Sequence, residues 1–422
     1  MTQPAILRWL GSCAALLPLT IAAVHTQTTS GPPSLTVAAE RMIRDVTLGR
    51  SEPSSVASGR RLPGSSLAAG ASAGKRKYFI TDIGTLGGSQ SFALGINDVG
   101  QVFGTSWITG DTTGHAFLYQ NGTLSDLGEL VTTLAGGAIN NSGQVATGIT
   151  IGGIVKPAIY DSQTGALTMI PSLGGTSSFG FSGVVTAIND RSKAVGWGYI
   201  DSLTPHAFVH RNGLTTDIGS FGGPSHAWSI NDSGTIVGSS TNSSNGFAHA
   251  FVYSAGQMRD IDPFGDPTFT TSLSVATDVN NSGKVVGYFL DQTDNLIHGF
   301  LYDGANFINI GLVGSAEVQP SAINRHGQVV GVHLVVDEMH AFIYERKRIT
   351  DLNELTLSQS GWELTWAFDI NRHGQIVGYG VLGNNFRAFL LTPVVDKEQC
   401  KNRGWRGFGF KNEGQCVQFV NH

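Results

Sequence analysis

The chain has 422 residues, a formal net charge of −5, 56 glycines and only 14% charged residues. That length suits two or three average domains or one repeat array. The composition excludes a long charge-segregated helical protein in favour of short strands joined by tight turns.

At the N-terminus, residues 1–25 combine Arg8, an apolar run from Trp9 to Val24 and small residues at Ala22 and Ala23. This is the layout of a secretory signal peptide, because an apolar run of about fifteen residues broken by Pro18 is short for a membrane span. "LGS" before Cys13 also suits a lipoprotein cleavage site, but Arg8 leaves almost no apolar run ahead of it. The expected location is therefore secreted or cell-surface, with no membrane span. Residues 26–77 are rich in Ser, Ala, Gly and Thr, lack helical or strand periodicity and read as a flexible linker. Within it "GASAG" places Ser72 in a nucleophile-elbow pattern, yet no strand pattern precedes it and no helix pattern follows.

Residues 78–395 carry 12 basic and 25 acidic side chains, an excess of negative charge that repels phosphate backbones and argues against nucleic acid as a partner. One phrase recurs seven times, from "GINDVGQVFG" at Gly95 to "DINRHGQIVG" at Asp369, and places an Asn at 97, 140, 189, 231, 280, 324 and 371. The intervals of 42 to 49 residues suit a four-stranded propeller blade. Each copy reads as a strand ending at the Asn, then a turn such as "NDSG" in which the Asn side chain caps and Gly supplies the left-handed conformation. Three further strands follow, typified by "QVVG", "HAFLY" and "LSDLG". The last copy lacks a fourth strand, whereas "YFITDIG" at 78–84 is a fourth strand without the other three. Joining them predicts an all-β, seven-bladed β-propeller with three-plus-one closure, strand one innermost and no open sheet edge at the seam.

"HAFLYQNGTLSDLG" followed by "AINNSGQV" is similar to the probable extracellular repeat of the HAF family, over roughly residues 78–395. The resemblance implies an exported repeat protein and no defined activity or catalytic residues. Two copies depart from it, with "KPAIYD" and "RAFLL" where the His-headed strand stands elsewhere. The Trp-Asp dipeptide of WD40 blades and the Asp-box of sialidases are absent.

In the repeats a His opens strand three and an acid closes strand four eleven residues later: His115 with Asp126, His206 with Asp217, His249 with Asp260, and His340 with Asp351. His298 has Asn309 at that offset, and the closing blade would set Arg387 against Asp82. A catalytic group is needed once, whereas this pair recurs with Arg and Asn replacements that keep hydrogen bonding and alter acid–base chemistry. The pair therefore reads as a framework hydrogen bond, with no catalytic residue, metal ligand or cofactor assigned.

Calcium is the alternative for the acidic loops "DIDPFGD" (260–266) and "DQTDN" (291–295), although neither has EF-hand spacing. "GYGVLG" (378–383) matches a dinucleotide fingerprint but precedes a strand and reads as a blade loop. Cys400 and Cys416, in the C-terminal segment 396–422, enclose Trp405, Phe408 and Phe410 and are expected to form a disulfide that holds a small cap or surface-attachment tag.

The loops between strands two and three and between blades differ in length and chemistry, which is where a repeat scaffold usually builds a binding face. Trp107, Trp197, Tyr199, Trp228, Tyr288, Trp362, Trp366 and Tyr379 fall in or beside them and are the candidate ligand-binding residues. The function expected is a monomeric, non-enzymatic binding or scaffold protein that recognises carbohydrate or protein at the cell surface. One alternative is a polysaccharide lyase or hydrolase working at the central channel, for which Asp111, Asp201 and Glu363 are loop acids without telling spacing. The other is a purely structural surface protein.

Overall fold

The computed structural model describes residues 77–421 apart from 133–138, 178–179, 263–270, 312–316, 336–337, 357–359, 395–396, 403–404 and 406–410. The signal peptide, nearly all of the linker, Ser72, Asp266, Phe408 and Phe410 lie outside the described residues.

The described residues form seven antiparallel blades, six of four strands and one of three. Blade one comprises Gly87–Ile96, Val102–Ile108, Gly114–Gln120 and Thr123–Gly128, paired in that order. Blade two pairs Gln144–Ile151, Ile154–Asp161 and Leu167–Met169, and blades three to six repeat the order of blade one over 183–217, 222–260, 271–309 and 318–351. Blade seven has Trp362–Ile370, Ile376–Leu382 and Asn385–Val394 from the end of the array, and takes its outermost strand, Lys77–Asp82, from the beginning. The seam is in register from Lys77 opposite Val394 to Asp82 opposite Phe389. Blade seven then packs on blade one, where Val377, Ala388 and Leu390 share a buried cluster with Ala93, Ile96 and Phe117.

The blades are joined at the inner end by the seven Asn. Each side-chain amide donates to the backbone carbonyl of the next blade's Asn: Asn97 to Asn140 at 2.9 Å, then onward through 189, 231, 280, 324 and 371, and finally Asn371 back to Asn97 at 3.0 Å. Each Oδ1 meanwhile accepts the backbone N–H four residues on, at 2.8 to 3.1 Å. One side chain thus closes its own turn and bonds its neighbour, which requires a donor and an acceptor together; Asp has no donor when ionised. In blade three the turn residue in the left-handed region is Ser192 (φ 56) rather than Gly. Its hydroxyl donates to Gln144 Oε1 in blade two at 2.7 Å, a contact that offsets the strain.

Within the blades, a bulged inner strand approaches strand two so closely that a Cβ at Gly104, Gly238, Gly287, Gly331 or Gly378 would meet a carbonyl oxygen at 1.9 to 2.2 Å. The Phe of "HAF" lies across the same glycine, and Phe117, Phe251, Phe300, Phe342 and Phe389 are fully buried there. Blade two departs on both counts at once: Thr147 stands opposite Ala158 where other blades set Gly opposite Phe. Thr147 donates to the carbonyl of Val131, and among the described residues the inner pairing consists of the bridges Val131 with Gly148 and Ile139 with Val145. A threonine at this position would collide with an inner strand packed as in the other blades. The stretch 378–383 is corrected from a loop: Gly378 to Leu382 belong to a strand, and its glycines serve this close approach.

Beyond the ring, Lys397–Cys400 and a short helix, Glu413–Asn421, are joined by a Cys400–Cys416 disulfide with Cα atoms 5.6 Å apart. Both cysteines are fully buried, and closing a loop of this size stabilises by about 3 kcal/mol. Among the described residues no helix is long and apolar enough to cross a membrane.

Candidate functional site

The antiparallel path sets the start of strand three beside the end of strand four, so each repeated His meets its acid at the loop end of the blade. His115 Nδ1 lies 3.0 Å from Asp126, His206 Nδ1 2.8 Å from Asp217, His249 Nδ1 2.7 Å from Asp260 and His340 Nδ1 2.6 Å from Asp351. Across the seam Arg387 Nη2 reaches both Asp82 oxygens, at 3.1 and 2.9 Å, though the residues are 305 apart in sequence. Each acid also shapes its own turn, since Oδ1 accepts the backbone N–H two residues on, as in Gly128 to Asp126, Gly219 to Asp217 and Asn353 to Asp351. The short Asp or Asn side chain is needed for that turn, and its other terminal atom, Oδ2 of Asp or Nδ2 of Asn, faces the histidine.

Blades four and five hold their histidines with opposite polarity. In blade four His249 Nδ1 meets Asp260, so it carries the proton, and Nε2 accepts from Asn245 Nδ2 at 2.9 Å. In blade five Asn309 Nδ2 faces His298 Nδ1 at 3.1 Å, and Nε2 donates to Asp294 at 2.9 Å. Backbone N–H groups of Phe247 and Gly311 donate to Asn245 Oδ1 and Asn309 Oδ1 and fix both amide orientations. Amide and carboxylate have exchanged places while the imidazole stays satisfied on both sides. Blade two has Lys156 at the histidine position and Leu167 eleven residues later, so it lacks the pair.

The eight candidate aromatics do not form one exposed platform. Trp197, Tyr288 and Trp366 are buried, because a propeller blade is covered on both faces. The other five are half-buried. Trp197 packs on Tyr199 and on His226, which stacks on Trp228 at 5.8 Å between blades three and four. Burial in this stack holds the His226 imidazole down at about 4. Between blades seven and one, Trp366, Phe368, Tyr379, Phe92 and Phe386 form a second cluster. Tyr379 keeps some residue exposure, but burial of its hydroxyl pushes it up to about 12. Trp107 lies against Gly114, where a Cβ would come within 2.2 Å of the ring. Trp362 lines a small cavity of about 150 Å³ at the seam with Tyr78, Phe79, Ile80 and Ser360.

The loop acids separate as well. Asp111, at positive φ, accepts the Ser89 N–H at 2.7 Å. Asp201 accepts the Leu203 and Thr204 N–H groups at 2.7 Å, and these bonds hold its carboxyl below the usual range. Glu363 instead lies with Glu338 around His340. Two groups escape a reading by sequence. Aliphatic and aromatic side chains stand exposed at the ends of strand two or in the following loops of three successive blades: Ile151, Ile200, Leu203 and Phe247. Leu203 is 79% exposed. Asp278 and Asp369 occupy inner-strand bulges where other copies have Gly, Ala or Ser, and that departure is their visible signal. They accept the Ile323 and Ile96 N–H groups of the next blade, at 2.7 and 2.8 Å. Although part of Asp369 touches solvent, burial of its carboxyl raises it to about 7, and Asp278 is raised for the same reason.

A family described as "Protein of unknown function (DUF3466)" matches residues 219–312. Among solved structures, the chain is similar to the β-propeller domain of the Trilobed protease from Pyrococcus furiosus, at 10% identity over 75% of this chain and 93% of that one, with a TM-score of 0.47. It is also similar to an acylaminoacyl peptidase from Pyrococcus horikoshii, at 11% identity over 74% of this chain and 53% of that one, with a TM-score of 0.48. A putative TolB from Agrobacterium tumefaciens is similar at 11% identity over 76% of this chain and 100% of that one, with a TM-score of 0.37. The chain spans about half the length of the acylaminoacyl peptidase. None of the curated proteins matches the chain.

Proposed function

We propose that the protein is an exported binding or scaffold protein that engages its partner through the loop end of blades two to four. The observation that carries this reading is the difference between the two ends of the blades. At the Asn end, short alike turns spend their polar groups on one another around the ring. At the loop end, Ile151, Ile200, Leu203 and Phe247 present apolar area to solvent on adjacent blades, beside the half-buried Tyr199 and Trp228. Exposed apolar side chains that recur at the same end of successive blades mark an interaction surface, whereas Val99 and Leu214 stand singly at the other end. Three of the four are aliphatic, which favours a protein partner over carbohydrate, since sugar recognition draws on open aromatic faces and Trp197 and Trp366 are packed away.

Photo-crosslinking from benzoylphenylalanine placed at Leu203 or Phe247, with Val99 on the opposite end as control, tests this on cells expressing the full chain. Discrete adducts are expected from the two loop positions and none from Val99, with loss of the Phe247 adduct when Leu203 is changed to Asp. Equal labelling from Val99, or saturable binding on a glycan array that survives L203D, would assign the partner to another surface or class.

A further inference from the structure

Blade six differs from the other histidine blades at one position. Opposite the repeated histidine, strand two carries Ser106 in blade one, Gly198 in blade three, Ser240 in blade four and Phe289 in blade five, but His333 in blade six. His333 is 6% exposed, and its Nε2 has no hydrogen-bond partner. That nitrogen is 4.0 Å from Asp351 Oδ2, the same oxygen that lies 2.6 Å from His340 Nδ1. The three side chains each offer one ligand atom, all within 4.8 Å of one another.

We propose that His333, His340 and Asp351 form a binding site for a first-row divalent transition ion of the zinc type. Two imidazoles and one carboxylate suit zinc and its neighbours, whereas calcium takes oxygen ligands throughout. Ligand atoms about 2.0–2.1 Å from a tetrahedral ion sit roughly 3.3 Å apart. The ion enters when the proton shared by His340 and Asp351 leaves, that contact opens by under about 1 Å and His333 Nε2 closes in from 4.0 Å by a similar amount, with a fourth position left for water.

The surroundings suit the site. Asp351 Oδ1 is held by the Asn353 backbone N–H and side-chain amide, at 2.8 and 3.0 Å, so Oδ2 is aimed inward. His340 Nε2, the nitrogen that would not ligate, faces the exposed Glu338 carboxylate at 3.7 Å, with Glu363 close by, so acidic groups stand on its far side. Asp291, Asp294 and His298 also bring ligand atoms together, but that group has one imidazole, and Asn309 and Asp294 already occupy both its nitrogens. The proposal is independent of the partner surface on blades two to four.

The test is isothermal titration of the metal-free full chain with zinc chloride, beside H333S and H333F. Both replacements are residues that the protein's own blades carry at this position, and both leave the His340–Asp351 pair in place. One zinc per chain is expected for the parent, bound at least tenfold more weakly by either variant. Zinc should also raise the melting temperature of the parent alone, and cobalt should give visible d–d bands that H333S or H333F abolishes. No stoichiometric binding, or binding and bands unchanged in a folded variant, would overturn the assignment. Should neither variant fold, the parent's cobalt spectrum decides: bands of tetrahedral intensity sustain the site, and an octahedral spectrum sinks it.

Discussion

The inner and outer ends of the blades solve the same problem, pairing polar groups at strand ends, in contrasting ways. At the inner end all seven copies keep Asn, since each side chain donates to the next blade and accepts from its own. A change in one copy removes bonds in two blades. At the outer end each hairpin is satisfied within its blade, so His298 exchanges Asp for Asn, Arg387 replaces His, and Lys156 abandons the pair. Coupling around the ring permits no variation; local satisfaction permits several. The histidines thus vary as hydrogen-bonding parts of a frame do, and His333 stands out because it is satisfied by neither scheme.

The largest expected effect lies at the ring. Asn280→Ala removes the bond to Asn324 O and those from the Ser282 and Lys284 N–H groups, leaving buried groups unpaired. A loss of about 3 kcal/mol is expected in denaturant unfolding. A loss below about 1 kcal/mol would show the ring to be dispensable.

The blade four and blade five exchange gives a sharper comparison. Asp260→Asn alone sets an amide against both His249 nitrogens and should cost about 1–3 kcal/mol. Adding Asn245→Asp recreates blade five's polarity and should recover at least half of that loss. A double variant as unstable as the sum of the two singles would refute the exchange of polarity.

The smallest effects are in the pH profile, where two buried groups oppose each other. The Asp369 carboxyl rises from 3.8 to about 7 in the fold, so its contribution is present below pH 3.8 and is lost as pH rises through about 7. The His226 imidazole falls from 6.5 to about 4, so its contribution is present above pH 6.5 and is lost as pH falls through about 4. Relative to the parent, Asp369→Asn should gain melting temperature between pH 5 and pH 8, and His226→Phe should gain it between pH 7 and pH 4. Parallel profiles for parent and variants would show that neither group titrates in this range.

Repetition made most of the frame legible. Seven Asn at near-equal spacing, the incomplete last copy and the orphan strand at 78–84 determine the blade count, the three-plus-one seam and the Asp82–Arg387 pair, because a repeat exposes which residues each copy must keep. The blade-two exception was also written there, as Thr147 and Ala158 in place of Gly and Phe, although its meaning appears only when the two are seen opposite each other. Tertiary structure alone decided which residues face solvent. Trp197 and Leu203 are close neighbours in one repeat, but the first is sealed between two blades and the second stands in water, since burial in a propeller depends on the adjoining blade. The same packing set His333 beside Asp351 with a nitrogen to spare, a relation between one residue and its surroundings that no periodicity records.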